Sequence, residues 1–265
     1  IPCFGWSKPE DINSKVPAEA LRMQDEQKRT LSLRIVNAKD GAGLRRVTVF
    51  AQYWMVNATG LPMLYRRSGL DNSLAAGQGQ MEELAERLLP LSAQPQQWYG
   101  PEGAEAFAAP FMFTMPVYNL DPRGDLAKFR VANSRWSQNV NLNSEGATGV
   151  LELAEEAEEG KAARLFEVVA SISAAPSQFW RTKVVTFAPR VVVANSMDRP
   201  IVVHQCSTLS HLVVLRPGEN MPFHWTDAEK PRLLSVRLQG PGWEWSGGCR
   251  VHDIGQYSVK LRSRT

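Results

Sequence analysis

Cysteine is scarce in this 265-residue chain, and what there is lies apart: Cys3, Cys206 and Cys249 form no CxxC pair and are odd in number. That usage argues against a disulfide framework and fits a reducing compartment. Long apolar runs are also missing. Stretches such as Val191-Val192-Val193-Ala194 fall far below the roughly 18 residues that cross a bilayer, so no spanning helix is expected. Nor is charge of one sign in excess: 30 Lys+Arg against 27 Asp+Glu give a net +3, which argues against nucleic-acid binding by bulk charge and confines any basic surface to a local patch. The opening Ile1-Pro2-Cys3-Phe4-Gly5-Trp6 has neither the charged leader nor the apolar segment of a signal peptide, and the chain reads as a fragment or processed product.

The chain does have the means to build a core. It is 43% hydrophobic with a mean hydropathy of -0.28, and its length accommodates one large or two ordinary domains. It also aligns with itself. Tyr53-Trp54-Met55-Val56-Asn57 with Pro62 parallels Val191-Val192-Val193-Ala194-Asn195 with Pro200 at an offset of 138. Met115-Pro116 and Phe129-Arg130-Val131 parallel Met221-Pro222 and Val236-Arg237-Leu238 at offsets of 106 and 107. Trp136-Ser137, Gly146 and Val150 parallel Trp245-Ser246, Gly255 and Val259 at 109. The fall from 138 to 106 places about 32 extra residues between Pro62 and Met115. There Met81, Leu84, Leu88 and Leu89 have helical spacing.

Short β-branched or alternating runs separated by Pro217-Gly218, Gly240-Pro241-Gly242 and Gly247-Gly248 read as strands and turns. The expected fold is all-β: tandem antiparallel β-sandwich-like repeats with a helical insertion in the first module. The expected layout is a tail of a preceding repeat over 1–30, ending its own module at Trp6-Ser7, and a first repeat over 31–153 with the insertion at about 68–110. An acidic connector over 154–163 and a second repeat over 164–265 follow. The glutamates of the connector read as a solvated face.

Asn57 and Asn195 each end an apolar strand before a turn. There an Asn amide can satisfy backbone groups that the turn leaves unpaired, and stapling the turn is its expected role. The repeated Trp136 and Trp245 read as residues that close each module. Phe223, Trp225 and Trp243 have no aromatic counterpart in the aligned first module, which marks them as specific to the second. No catalytic or metal site emerges. His204, Cys206 and His211 lack a fourth ligand nearby, and His252-Asp253 has no nucleophile in a GxSxG setting. Gly77-Gln78-Gly79 lacks the rest of a phosphate loop. Lys260, Arg262 and Arg264 share one face of a strand and read as solvated. No cofactor is expected.

The run Pro189-Arg190-Val191-Val192-Val193-Ala194-Asn195, with Leu215-Arg216-Pro217-Gly218-Glu219, Pro222-Phe223-His224-Trp225, Trp245-Ser246-Gly247-Gly248 and Asp253-Ile254-Gly255 with Val259-Lys260-Leu261, resembles the adaptor-binding domain of the vacuolar protein sorting-associated protein 13 family. In plant members that region is called the SHORT-ROOT-binding domain. Residues 53–62 are similar to the family's repeat opening. Cys249 and His252 depart from the pattern, where a bulky apolar and an acidic residue stand in the family. The resemblance implies β-rich repeats, each with a characteristic Asn, here Asn57 and Asn195, and this chain as the last two of them. It implies a parent that is a bridge-like lipid transporter at membrane contact sites. It also implies docking of Pro-x-Pro segments of organelle-specific adaptor proteins, with membrane contact made through the adaptors, and transcription-factor binding as a further partner class in a plant member. On that basis Phe223, Trp225 and Arg190 are candidate peptide contacts, and Asn195 holds the site in shape.

Two other readings stand beside it. Eight tryptophans and the sequon Asn57-Ala58-Thr59 motivate a carbohydrate-binding β-sandwich, for which a secreted chain would be needed. A spacer repeat with no ligand is the other. An enzyme is not expected.

Overall fold

The computed structural model describes residues 20–24, 30–68, 87–89, 111–113, 125–156, 161–208 and 211–264. An antiparallel meander comes first: β1 (Ala20–Gln24), β2 (Thr30–Lys39) and β3 (Arg45–Phe50). A five-stranded sheet follows, in the order β10 (Thr148–Ala154), β11 (Leu165–Ala174), β12 (Lys183–Pro189), β4 (Tyr53–Asn57) and β7 (Phe111–Phe113). Its pairings are antiparallel except β12 with β4, which run parallel. A four-stranded sheet of β6 (Arg87–Leu89), β5 (Met63–Arg67), β8 (Leu126–Val131) and β9 (Val140–Asn141) shares its core.

Alternation explains that core. Phe166, Val168, Ala170 and Ile172 project from every second position of β11, as Val185 and Phe187 do from β12, onto Tyr53, Met55, Met63, Tyr65, Phe129 and Val131. Phe129 and Phe187 meet at 4.5 Å between ring centroids. The Tyr53 hydroxyl donates to Asp125 and Asn143, and burial together with Asp125 raises its pKa far above the usual tyrosine range.

The remaining strands repeat this plan. β13 (Val191–Ala194) pairs with β16 (Asn220–Phe223), and β14 (Ile201–Gln205) lies between β15 (Val213–Leu215) and β17 (Leu233–Leu238), with β18 (Cys249–Arg250) outermost. Registers match: Met63 faces Leu89 and Val131 as Ile201 faces Leu215 and Leu238. Ser137 and Ser246 each accept the N–H of the residue across the ladder, Phe129 at 3.0 Å and Val236 at 2.9 Å. Trp136 lies under Arg66 and Arg130, and Trp245 under Arg237 with the His204 ring tilted against it. The β4–β7 ladder sets Phe113 opposite Tyr53 as Phe223 is set opposite Val191. Register thus matches Met221 to Phe111 rather than to Met115, and Phe223 has an aromatic counterpart after all.

The all-β architecture stands, but the helical insertion does not emerge. Arg87–Leu89, inside the segment with helical spacing, pairs with β5 as a strand, because so short an apolar run satisfies either period. The rest of 69–110 lies outside the described residues, as do Trp6-Ser7, Met115-Pro116 and 157–160. The strands flanking the acidic run, β10 and β11, form one antiparallel pair, closed near its end by Arg164 on Glu155 at 2.7 Å.

Candidate functional site

Both repeat asparagines are buried and bonded in the same pattern. The Asn57 Nδ2 donates to the Leu61 carbonyl at 2.9 Å and its Oδ1 accepts the Thr59 N–H at 3.1 Å. The Asn195 Nδ2 donates to the Arg199 carbonyl at 2.9 Å and its Oδ1 accepts the Met197 N–H at 3.0 Å. Each amide therefore closes the turn that follows its strand, bonding the carbonyl four residues on and the N–H two residues on. Asn195 adds a bond to the Leu215 carbonyl at 3.0 Å, while its backbone pairs with Glu219 and Gly218. The turn after Asn57 needs Gly60 at φ 74°, and Gly60 sits against Pro222 of β16. Asn57 is 0% exposed with both amide atoms engaged, so in the folded chain the sequon has no free nitrogen for a glycan.

Beside the main-chain bridge of Leu165 with Trp225, a buried carboxylate ties the strands that follow Pro189 to β11. Glu167 stands mid-strand in β11, 2% exposed. It accepts Trp225 Nε1 at 2.8 Å, Arg190 at 3.1 Å and Arg232 at 2.8 Å, with His252 Nε2 at 3.3 Å. Burial pushes this carboxyl up, but the bonds from Trp225 and His252 and the charge of Arg190 outweigh it, so the group sits below the usual carboxylate range. These partners adjoin β13, β16, β17 and β18, so one side chain ties together four strands of the second repeat. Arg232 also reaches Glu152, opposite Glu167 across the ladder.

This arrangement fixes where the sequence-predicted residues lie. Trp225 and Arg190 meet on Glu167, and Phe223 packs edge-on against Trp225 at 5.4 Å. Phe223 and Trp225 are 5% and 1% exposed and belong to the second core; as placed, they form the floor beneath a surface rather than the surface. Glu167 is inconspicuous in the sequence because the chain is rich in glutamate. Its signal is a single charge inside the apolar run Leu165-Phe166-Glu167-Val168-Val169. Among the described residues no cluster of three His, Cys, Asp or Glu could hold a metal, and His204 packs tilted against Trp245.

Above this floor the second repeat presents an open strand edge, that of β13. In the first repeat β4 lies between β7 and β12. Its counterpart β13 pairs with β16 alone among the described residues. The cores differ accordingly. Tyr53, Met55, Phe129 and Leu153 are at most 1% exposed, whereas Val191, Val193 and Val236, at the matching positions, and Leu261, set against Leu153 by the bridges Ser134–Glu155 and Trp243–Ser263, are only partly buried. A groove of about 700 Å³ runs beside 257–262, lined by Trp245, Cys249, Tyr257 and Lys260. Among the described residues no helix is long and apolar enough to cross a membrane.

Tandem β repeats, the second with a strand edge unpaired among the described residues, are the class of structure to which the site belongs. The chain belongs to the family described as "Vacuolar-sorting associated protein 13, adaptor binding domain", which it matches over residues 2–265. It is 25% identical over 99% of its length to the intermembrane lipid transfer protein tipC of Dictyostelium discoideum. It is 26% identical over 91% to the intermembrane lipid transfer protein VPS13D of Homo sapiens, and 25% over 87% to VPS13 of Chaetomium thermophilum. The chain spans 8%, 5% and 6% of those three proteins.

Proposed function

We propose that this chain is the docking module of a large intermembrane lipid transfer protein, and that it holds short Pro-x-Pro segments of adaptor proteins along β13, bringing its parent to organelle membranes and contact sites. One observation carries the reading: β13 has an unpaired edge, among the described residues, over a partly uncovered apolar floor, where β4 has β12. An extended segment can add to such an edge by main-chain hydrogen bonds while its side chains fill the floor. A proline-containing segment is already extended and loses little entropy on docking.

Named residues take supporting roles. Asn195 closes the turn at the end of β13 and so fixes the last backbone groups of the edge. Phe223, opposite Val191, and Trp225 hold the floor from beneath. Arg190 anchors the start of β13 to Glu167. The test is fluorescence polarisation with a labelled Pro-x-Pro adaptor peptide, alongside a proline-to-alanine peptide and the Asn195→Ala protein. Saturable binding that both changes weaken is the expected result. A folded chain that binds no such peptide would overturn the reading.

A further inference from the structure

The loop between β11 and β12 carries two large rings that belong to neither core. Residues 176–181 are all exposed, and within them the adjacent Phe179 and Trp180 are 46% and 63% exposed. Single apolar residues scattered over a surface are ordinary, whereas neighbouring large ones forgo the stabilisation that burial would bring and point to a contact.

The exposure is built into the loop. The Ala175 N–H donates to Thr182 O at 2.8 Å, the Phe179 N–H to Pro176 O at 3.2 Å and the Thr182 N–H to Phe179 O at 2.7 Å. The Thr182 hydroxyl, buried, donates to Ala51 O at 2.8 Å and ties the loop to the β3–β4 connection. Tyr53 and Met55 of β4 face the core, so Trp54 between them faces outward. The Phe179 ring rests tilted on Trp54 at 5.1 Å. Trp180 stands more exposed, with the Arg181 guanidinium 4.4 Å from its ring and 5.9 Å from that of Phe50.

The loop is also charged in one sense. No Asp or Glu occurs between Glu167 and Asp198, whereas Arg181 and Lys183 flank the rings and Arg34 lies opposite Phe50 across the β2–β3 ladder. Of the neighbouring carboxylates, Asp125 accepts from Gln52 and Tyr53. Glu145, on the turn that Gly146 bonds to Ile172, is an opposing charge. Rings with cations beside them match the membrane–water interface, where the rings settle among headgroups and Arg or Lys meets lipid phosphate. Ligand sites on proteins are concave; a rigid exposed loop end has the opposite shape and suits a surface that yields around it.

We infer that the 176–181 loop is a membrane-contact tip. Phe179 and Trp180 enter the headgroup layer of a bilayer that bears anionic lipid, and Arg181 meets its phosphates with Lys183 behind. The chain thereby touches lipid itself, through its closed repeat and apart from any partner held at β13.

The test is co-sedimentation of the intact chain with sucrose-loaded vesicles of phosphatidylcholine and phosphatidylserine in equal parts, and of phosphatidylcholine alone. Binding is expected on the mixed vesicles and is weaker on phosphatidylcholine. Replacing both rings, Phe179→Ser with Trp180→Ser, is expected to lower partitioning about tenfold or more, and Arg181→Gln about fivefold. Brominated phosphatidylcholine in the vesicles should quench the tryptophan fluorescence of the bound chain. Trp180→Phe, which keeps a ring at the tip, should retain binding and lose most of that quenching. Urea melts establish that each variant is folded. A folded chain that ignores both vesicles, a double variant that sediments like the unmodified chain, or quenching unchanged in Trp180→Phe would overturn the inference. So would self-association that the double variant abolishes, without vesicle binding, since the tip would then be a contact between copies.

Discussion

The two repeats use the same strands in the same registers, yet one is closed and the other is not. Tyr53, Met55, Phe129 and Leu153 are sealed because β11 and β12, from later in the chain, complete the sheet between β10 and β4 and send their side chains into the same core. The matching Val191, Val193, Val236 and Leu261 have no such cover among the described residues. The proposed docking surface is a core that lacks two strands. That explains why it is apolar and why it presents a strand edge.

The comparison breaks most readily at Phe187. Phe187→Ala empties the closed core and is expected to destabilise the chain by about 3–5 kcal/mol. Val236→Ala in the uncovered core should cost only about 1 kcal/mol; paired urea melts measure both. Next comes the joint between the repeats. Glu167→Gln leaves Arg190 and Arg232 facing a neutral group and is expected to cost about 3 kcal/mol. Its ladder neighbour Glu152, half exposed on the same Arg232, should cost under about 1 kcal/mol as Glu152→Gln. Equal losses would remove Glu167 from its central place.

Acid sharpens the contrast from another side. His224 packs against Phe166 with both ring nitrogens unpartnered, and burial, with Arg164 nearby, lowers its pKa to about 4. The unfolded chain therefore takes up this proton first. The stability due to His224 is full above about pH 6.5 and declines as pH falls toward 4, by about 2–3 kcal/mol. A His224→Leu protein should lack that share of the decline in melts run between pH 7 and 4. A smaller stability effect than this acid-dependent one is expected at the asparagines. Asn57→Ala and Asn195→Ala should each cost about 1–2 kcal/mol, while only Asn195→Ala weakens a peptide bound at β13.

Much of this architecture is legible in the amino-acid order alone. Asn57 and Asn195 stand out by identical spacing to a following proline, and their shared bonding follows from that spacing. The strands show in the alternation of apolar residues, and the repeat in its ordered residues. Phe223 is harder to place because matching Met-Pro dipeptides hide the true ladder, in which Phe113 is its counterpart. Glu167 and the β12–β4 pair lie beyond local reading. Both join residues far apart in the chain, and nothing in the apolar run 183–189 says which strand it will lie beside.

β3 presents a last contrast. Offset by 138, Val47 and Val49 occupy the places of Val185 and Phe187, yet they are 50% and 51% exposed, on a strand paired only to β2 among the described residues. Such a bare edge is colloidally hazardous, and Arg45 and Arg46 beside it act as its electrostatic guard. Mutual repulsion between guards fades as ions screen it. Concentrated stocks of this polypeptide should consequently stay clear in dilute buffer and turn cloudy as salt is raised, the reverse of what a polar surface would do.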